Sequence, residues 1–249
     1  MVNSIATERI SKLSMVIVQT VKMNRIAKNI DKIFEQIHVF EKRYNCRQGA
    51  ITLLAVSKKQ AVDKIFMAHE AGICHFGENY LSEAESKILQ LSDLAINWHF
   101  VGPIQSNKTR AIAKLFQWVH SVDRIKVAQR LSNQRGNLLP PLNVCVQVNL
   151  SNEDTKSGAS IEDTEKLCNK IATLPNLQLR GLMAIPAPSD DFTKQRMDFR
   201  KLASLFNQLS PDFTHFDTLS MGMSGDFEAA IAEGSTMIRI GTALFGPRI

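Results

Sequence analysis

Short β-like runs alternate with segments of helical periodicity along almost the whole chain, and this alternation limits the folds it can adopt. The eight strand candidates are Ile51–Val56, Cys74–Phe76, Trp98–Val101, Trp118–Val119, Asn143–Val148, Leu177–Met183, Phe216–Ser220 and Met237–Ile240. The helical segments between them are Val62–Glu70, Leu81–Gln90, Asn107–Phe116, Arg124–Asn133, Ile161–Thr173, Phe192–Leu209 and Gly225–Glu233. Alternating units require a parallel sheet, because each connection returns the chain to the same end of the sheet. Eight units predict an α/β fold, a single (β/α)8 barrel of the TIM type.

A further helix precedes the first strand, because apolar residues recur at three- and four-residue steps over Asn24–Phe40. The main alternative to a barrel is an open doubly wound sheet. No Gly-x-Gly-x-x-Gly motif follows the first strand, however, and no change of composition marks a second domain. We therefore predict one barrel domain over residues 23–249 with an extra amino-terminal helix. Residues 1–22 are expected to be a flexible extension or the product of an upstream start codon.

The composition argues against several classes of protein. Hydrophobic residues make up 44% of the chain, yet the longest apolar runs are far shorter than the roughly 20 residues of a membrane-spanning helix. Most of the net charge of +6 comes from residues 1–50, where acidic groups dilute the basic ones, so we predict no nucleic-acid binding. The four cysteines are widely spaced and indicate neither a disulfide scaffold nor a metal site. Without a signal-peptide pattern, the expected location is the cytoplasm.

The active site of a parallel barrel lies at the carboxyl ends of its strands, and the first strand ends in Ser57-Lys58-Lys59. Strand alternation places Lys58 on the face of Val56 and Lys59 on the opposite face, so only one lysine enters the barrel. Partial desolvation lowers the pKa of a lysine and favours the neutral amine that forms a Schiff base. The alternative is that both lysines are solvated loop residues.

The loops after the seventh and eighth strands carry a second signal. In barrels these loops commonly hold a phosphate through backbone N–H groups at glycines. Ser224 lies between two glycines ahead of a helix, so its hydroxyl is available to a ligand or to cap that helix. Gly241-Thr242 combines close backbone approach with a hydroxyl. Glycines after strands also form plain turns, but together with Lys58 the two loops predict a phosphate-ligand site.

Arg239 lies on the eighth strand, where burial would require a carboxylate, a phosphate or a ring nitrogen as its partner. Beside a pyridine nitrogen an arginine keeps that nitrogen unprotonated, which makes the ring a poorer electron sink. The alternative is a structural ion pair with Asp217 or Glu233. Asn79 is expected to cap the following helix, to reach a ligand's ring, or both. His99 is interpreted as a core residue with one satisfied hydrogen bond rather than as a catalyst.

Six motifs occur in order: Ala55-Val56-Ser57-Lys58, Phe76-Gly77-Glu78-Asn79-Tyr80, Trp98-His99-Phe100-Val101-Gly102-Pro103-Ile104-Gln105-Ser106-Asn107-Lys108, Gly181-Leu182-Met183-Ala184-Ile185-Pro186, Ser220-Met221-Gly222-Met223-Ser224 and Arg239-Ile240-Gly241-Thr242. Together they resemble the pyridoxal-phosphate homeostasis proteins, the YggS/PROSC family, from about Asn24 to the carboxyl terminus. The resemblance implies a barrel similar to the amino-terminal domain of alanine racemase. It also implies pyridoxal 5′-phosphate (PLP) bound as a Schiff base to Lys58, its phosphate against the two loops and Arg239 beside its ring. The predicted cofactor-binding residues are Lys58, Asn79, Ser224, Arg239, Gly241 and Thr242.

The family resemblance implies a role in PLP homeostasis, meaning cofactor binding, storage or delivery and amino-acid and keto-acid balance, without a settled reaction. The expected partners are PLP and apo forms of PLP-dependent enzymes, and the expected assembly is a monomer or a weak dimer. One alternative is a weak amino-acid racemase that uses Lys58 with Tyr80 or His99 as the acid on the opposite face. Another is a barrel enzyme for a different phosphate ligand.

Two features depart from the family pattern. Lys59-Gln60-Ala61 follows Lys58 where the family commonly has Thr-Lys-Pro, so Lys59 is a neighbour that repels Lys58 or lowers its pKa. Residues 1–22 have no counterpart in the usual family start. A second lysine, Lys156, follows the fifth strand, and whether it holds a second PLP molecule is left open by the sequence.

Overall fold

The computed structural model describes residues 25–151 and 157–247. Its strands are β1 (Thr52–Val56), β2 (His75–Glu78), β3 (Asn97–Phe100), β4 (Trp118–Val122), β5 (Leu142–Gln147), β6 (Leu177–Met183), β7 (Thr218–Ser220) and β8 (Met237–Ile240). Neighbouring strands pair in parallel in sequence order, and β8 pairs with β1 to close the barrel. The predicted (β/α)8 barrel is confirmed.

Helices cover the outside of the barrel: α1 (25–43), α2 (Val62–Glu70), α3 (Leu81–Gln90), α4 (Thr109–Leu115), α5 (Ile125–Arg135), α6 (Ile161–Ala172), α7 (Phe192–Leu209), α8 (Phe227–Ala232) and α9 (Thr242–Phe245). A 3-10 turn over Ser210–Asp212 follows α7. The extra amino-terminal helix is α1, as predicted. Among these helices none is both long and apolar enough to cross a membrane.

Side-chain caps explain where two of the longer helices begin. The Ser160 hydroxyl accepts a hydrogen bond from the Asp163 backbone N–H, 3.1 Å away, at the start of α6. The Asp191 carboxylate accepts from the first free N–H groups of α7. Such caps satisfy donors that have no partner within the helix, so these two starts follow from local sequence.

Two strands are longer than the hydrophobic pattern predicts, and a short helix was missed. The prediction ended β4 at Val119, although the strand continues through His120 and Ser121 to Val122. It ended β2 at Phe76, although Gly77 and Glu78 continue that strand. The polar side chains in these extensions are buried, so hydrophobicity alone does not mark them as strand residues. The missed helix, α9, has only four residues.

Strand register identifies the residues that face the barrel interior. Residues aligned across parallel strands share a face, and Leu54 is aligned with Arg239 while Gly77 is aligned with His99. The apolar interior consists of two small clusters: Leu54, Val101 and Met237, and Trp118, Cys145 and Met183. A much larger apolar cluster lies between the barrel and its helices. The interior is therefore partly polar, and its polar side chains lie beneath the site described next.

Gly102, just after β3, allows an unusually close approach of two strand ends. A Cβ atom at this position would lie 2.1 Å from the Asn79 carbonyl oxygen, which is a backbone atom and cannot rotate away. We expect Gly102→Ala to lower the free energy of unfolding by about 2–3 kcal/mol through overpacking. Denaturant unfolding measures this change, with Gly225→Ala as the control because its added Cβ meets nothing within 4 Å. Equal unfolding midpoints for the two variants would contradict the prediction.

Candidate functional site

A cleft of about 250 Å³ opens at the carboxyl end of the barrel. Its described lining residues include two cations, Lys58 and Arg239, and no acidic side chain. All six residues predicted from the sequence lie on its wall: Lys58, Asn79, Ser224, Arg239, Gly241 and Thr242. They come from β1, β2, β7 and β8 or the turns that follow these strands. The lining has the charge and the hydroxyl groups to receive an anionic ligand.

Lys58 and its neighbour Lys59 face opposite directions, as strand alternation predicts. Lys58 lines the cleft and is half-buried, whereas Lys59 is exposed. Lys59 also has a φ of 58°, in the left-handed region that non-glycine residues seldom adopt. The reversal of direction at Lys59 begins the turn into α2. Of the two lysines, only Lys58 presents its amine to the cleft.

Asn79 lies on the cleft wall and does not cap α3, which corrects one of the two roles predicted for it. The N-cap position of α3 is Tyr80, and no side chain bonds to the helix start there. The Asn79 Oδ1 atom is buried and has no hydrogen-bond partner among the described residues. A buried amide oxygen in this state requires a donor from a ligand or water. Asn79 therefore places an unpartnered buried acceptor beside the cleft.

Arg239 is buried at the base of the cleft, and neither predicted ion pair forms. Its guanidinium donates to the Ser220 carbonyl (2.7 Å), the Ser220 hydroxyl (2.9 Å) and the Ala184 carbonyl (2.9 Å). The suggested partners are engaged elsewhere, Asp217 with Arg180 and Glu233 with Arg196 and Arg200. Burial lowers the pKa of Arg239 to about 10, partly offset by the negative charge of Asp226. The interior thus holds a cation anchored on neutral oxygens.

The two loops predicted to bind phosphate lie side by side on the cleft wall. Ser224 is exposed and is not the N-cap of α8, since that position belongs to Asp226, whose carboxylate accepts from the Met223 N–H at 2.5 Å. This corrects the capping role for Ser224 and leaves its hydroxyl on the cleft. At Gly241 an added Cβ would lie 3.2 Å from the Val56 carbonyl oxygen, so a side chain would crowd the wall.

Three histidines form a continuous hydrogen-bonded chain beneath Arg239, which we call the histidine relay (His75, His99, His120 and Ser220). His75 Nδ1 lies 2.9 Å from His99 Nε2, and His99 Nδ1 lies 2.8 Å from His120 Nε2. His120 Nδ1 lies 3.0 Å from the Ser220 hydroxyl, which Arg239 also contacts. The His99 ring stacks on Trp118. His99 therefore has two satisfied ring nitrogens rather than the one expected from sequence.

The donors and acceptors of the relay point in one direction. Arg239 can only donate, so the Ser220 hydroxyl accepts from it and keeps both its own proton and a second lone pair, either of which can meet His120 Nδ1. If Ser220 donates, His120 donates from Nε2 to His99 and His99 donates from Nε2 to His75; if His120 donates, all three rings carry their proton on Nδ1. Each neutral imidazole offers one donor and one acceptor, so either assignment leaves no bond in the chain unsatisfied.

Burial keeps the relay neutral. It lowers the pKa of His120 to about 3, with the charge of Arg239 and that of His75 acting in the same direction. It lowers the pKa of His99 well below its ordinary value, and that of half-buried His75 to a smaller extent. Near neutral pH the relay is therefore a set of fixed dipoles under the cleft.

Comparison with known proteins agrees with this geometry. The family model described as alanine racemase, N-terminal domain, matches residues 28–248. A pyridoxal phosphate homeostasis protein of Pseudomonas aeruginosa is 54% identical over 226 residues, which cover 91% of this chain and 97% of that protein. The chain belongs to the pyridoxal phosphate homeostasis family. Its resemblance to that family, inferred from the six motifs, is confirmed.

Two solved structures show the difference between a shared family and a shared fold. PipY of Synechococcus elongatus PCC7942, in a structure with PLP bound, is 34% identical with a TM-score of 0.78 and covers 89% of this chain and 100% of that chain. Alanine racemase from Corynebacterium glutamicum is 19% identical with a TM-score of 0.63, covering 91% of this chain and 61% of that chain. The second likeness shows the barrel fold alone.

Sequence reasoning missed the polar groups beneath the cleft of this family member. His75 and Ser220 were predicted only as strand residues, His120 lay beyond the predicted end of the fourth strand, and the side chains around Ser57 were not considered. A signal was present, since three histidines occur in or beside consecutive strands, but their pairing depends on strand register. Lys156 and residues 1–24 lie outside the described residues.

Proposed function

We propose that this family member binds PLP in the cleft and serves PLP homeostasis as a binding, storage or delivery protein. The observation that carries the proposal is the meeting of Lys58, Asn79 and Arg239 with two hydroxyl-bearing loops on one cleft wall. PLP has an aldehyde, a pyridine ring and a phosphate, and each of these has a matching group here. The relatives are named for homeostasis rather than for a reaction, which supports the same role.

The charges of the cleft fit an anion of this kind. The described lining carries the two cations Lys58 and Arg239 and no acidic side chain, and Ser224 and Thr242 add hydroxyl groups. A phosphate dianion is stabilised by cations and by hydroxyl and amide donors in a partly desolvated site. These features support PLP over a neutral or cationic ligand.

Lys58 is proposed to attach the cofactor and Arg239 to face its ring. With PLP in the cleft, Lys58 would be the residue that holds it covalently through its aldehyde, since a lysine amine attaches to an aldehyde with loss of one water molecule. When bound, PLP supplies a ring that can withdraw electrons from an attached amine. Arg239 only donates, so it keeps a facing ring nitrogen unprotonated and weakens that withdrawal. The arrangement favours holding the cofactor over demanding chemistry on it.

Ser224 and Thr242 are proposed to hold the phosphate with Gly241. We expect Ser224→Ala combined with Thr242→Val to weaken PLP binding about 100-fold or more, because two hydrogen bonds to a charged group, which contribute about 1.5–3 kcal/mol each, are lost. Binding of pyridoxal, which lacks the phosphate, is the control and is expected to change little. Spectroscopic titration with both ligands measures the two affinities. Equal losses for PLP and pyridoxal would show that these hydroxyls do not contact the phosphate.

The racemase alternative has less support. It required an acid on the opposite face of the ligand from Lys58, supplied by Tyr80 or His99. His99 is fully buried, and both of its ring nitrogens are bonded to other histidines. Tyr80 is 50% exposed. A group open to solvent is poorly suited to proton transfer in a sequestered site, so we assign no racemase chemistry to this cleft.

Transfer of the cofactor to apo forms of PLP-dependent enzymes is the proposed use of the open cleft. Ile185, on the cleft wall, is 46% exposed, and Tyr80 directly follows the lining residue Asn79. Exposed apolar side chains around a mouth suit transient contact with another protein. A monomer or weak dimer acting in the cytoplasm completes the proposal, since transient delivery requires an uncovered mouth.

The proposal is tested by incubating the purified protein with PLP, recording the visible spectrum, reducing with borohydride and mapping the modified peptide. An imine band fixed by reduction onto Lys58 is the expected result. A colourless protein, or label spread over surface lysines, would contradict it. Incubation of the loaded protein with L-alanine provides the second readout. Sustained D-alanine formation that depends on Lys58 would favour the racemase instead.

A further inference from the structure

The turn that carries Lys58 has an unfavourable backbone shape. The Gln60 N–H donates to the Ser57 carbonyl at 3.0 Å, which closes a four-residue turn over Ser57–Gln60. Its third residue, Lys59, has a φ of 58°. Turns that need a positive φ at this position usually have glycine or asparagine there. Lys59 is neither, so contacts from elsewhere must hold the turn in this shape.

Two side chains of α3 form hydrogen bonds with the peptide groups on either side of the Lys58 Cα atom. Glu83 Oε1 accepts a hydrogen bond from the Lys59 N–H at 2.6 Å. Lys87 Nζ donates to the Ser57 carbonyl at 2.7 Å. These groups belong to the peptide bonds that follow and precede the Lys58 Cα atom. When both peptide planes are fixed, the direction of the Lys58 Cα–Cβ bond is fixed with them.

Glu83 and Lys87 are part of a buried cluster of charged side chains. Lys87 Nζ lies 2.6 Å from Glu83 Oε1 and 2.8 Å from Glu78 Oε1. With the Ser57 carbonyl, these contacts use all three ammonium donors. The Ser57 hydroxyl also donates to Glu78 Oε1, at 2.6 Å. The Lys87 and Glu78 side chains are almost fully buried, and the contacts of Glu78 are all made through Oε1, since Oε2 has no partner among the described residues. The three contacts of the Lys87 ammonium restrict its position, because few other arrangements would satisfy its charge in a buried place.

We propose that Glu83 and Lys87 are positioning residues that aim the Lys58 amine into the cleft, a role that rests on the proposed PLP binding. Neither residue is on the cleft wall. They act through the backbone of Ser57 and Lys59, and Glu78 holds Lys87 in place. The left-handed shape of Lys59 turns its side chain outward and leaves Lys58 as the inward amine.

Glu83 provides a test that spares the buried pair. Removing Lys87 would leave the Glu78 carboxylate buried without its cation and risks unfolding. Glu83→Ala removes the acceptor from the Lys59 N–H, while Glu83→Gln keeps a neutral oxygen in its place. Glu85→Ala is the matched control, because Glu85 is exposed on the same helix and loses the same charge.

We expect Glu83→Ala to weaken formation of the PLP imine about tenfold, as a small misplacement of a reacting group does, and Glu83→Gln and Glu85→Ala to stay near wild type. Amide hydrogen exchange provides the second readout, with the Lys59 N–H losing protection only in Glu83→Ala. Adding Lys59→Gly to Glu83→Ala should restore part of the imine formation, since glycine adopts a positive φ without strain.

Several results would overturn the positioning role. Wild-type imine formation in a folded Glu83→Ala variant would do so, as would retained protection of its Lys59 amide. Equal losses in Glu83→Ala and Glu85→Ala would mean that charge, not the hydrogen bond, matters. Failure of the wild-type protein to label at Lys58 would instead overturn the proposed PLP binding. The two failures are therefore distinguishable.

Discussion

Lys58→Ala is expected to abolish the imine absorption band with PLP and to leave no borohydride-fixed label in the peptide that follows β1. The remaining non-covalent binding should be weaker by at least about 100-fold, because the covalent bond is lost along with a cation on the cleft wall. Titration of visible absorbance and peptide mapping measure both effects. No other side-chain amine is among the described residues that line the cleft, so none of these lining residues can substitute for Lys58.

Lys59→Ala is the matched control for this prediction. Lys59 is adjacent in sequence and carries the same charge, but it is exposed and points away from the cleft. The control variant should form the imine and keep its label on Lys58. Imine formation in Lys58→Ala at the wild-type affinity would contradict both the proposed attachment and the directions of the two side chains.

Stability is expected to fall steeply with acidification, because three histidines are held neutral in the barrel interior. Burial lowers the pKa of His120 from an ordinary value of 6.5 to about 3, and the pKa values of His99 and His75 are lowered as well. The unfolded chain therefore binds protons that the folded protein does not, so stability is lost as the pH falls below about 6.5. For His120 alone the loss is about 2 kcal/mol between about pH 8 and about pH 5, and His99 adds to it in the same direction.

Other ionisable groups contribute in known directions. The pKa values of Glu41 and Glu233 are lowered, which adds to the loss at more acidic pH. Burial raises the pKa values of Glu78 and Asp226, so their protonation partly offsets the loss as the pH approaches their ordinary range. The relay is therefore best measured as the slope of the free energy of unfolding between about pH 6.5 and about pH 5. Most carboxylates titrate below this interval.

His120→Gln isolates the contribution of one ring. Denaturant unfolding at several pH values measures how steeply the free energy of unfolding falls below about pH 6.5. In this variant that slope should be smaller by about 1.4 kcal/mol per pH unit, which is the contribution of one proton. His215→Gln is the control, since His215 is exposed and lies outside the relay. Equal changes of slope in the two variants, or an unchanged slope in His120→Gln, would contradict the assignment. Nitrogen chemical shifts of the imidazoles then show whether the three rings carry their protons on Nε2 or on Nδ1.

Several features of the cleft were predictable because they depend on short-range patterns. The inward direction of Lys58 follows from alternation along β1, and the places of Ser224 and Gly241 follow from the ends of β7 and β8. Parallel strands bring their carboxyl ends to one edge of a barrel, so residues far apart in sequence meet there. The six predicted residues lie on one cleft wall for this reason.

The side-chain partners around these residues were not predictable in the same way. The alternative ion pair of Arg239 with Asp217 or Glu233 does not form, and the guanidinium is anchored on the oxygens of Ser220 and Ala184. Asn79 and Ser224 were each predicted as a possible helix N-cap, but Tyr80 and Asp226 occupy those N-cap positions. The first residue of a helix can be predicted only to within one or two residues, whereas the N-cap is a single position. Side-chain roles that depend on a single position were therefore the ones that failed.

By itself the sequence determined the barrel, through eightfold repetition of strand and helix periods, and with it the residues that follow each strand. Only the tertiary structure decided how the interior polar groups pair. His120 and Ser220 are 100 positions apart and meet at 3.0 Å, and Lys87 reaches the Ser57 carbonyl across 30 positions. Periodicity is a local property, whereas a hydrogen bond depends on strand register and helix approach at the scale of tenths of an ångström. The histidine relay and the hydrogen bonds of Glu83 and Lys87 to the Lys58 turn are therefore seen only in the folded chain.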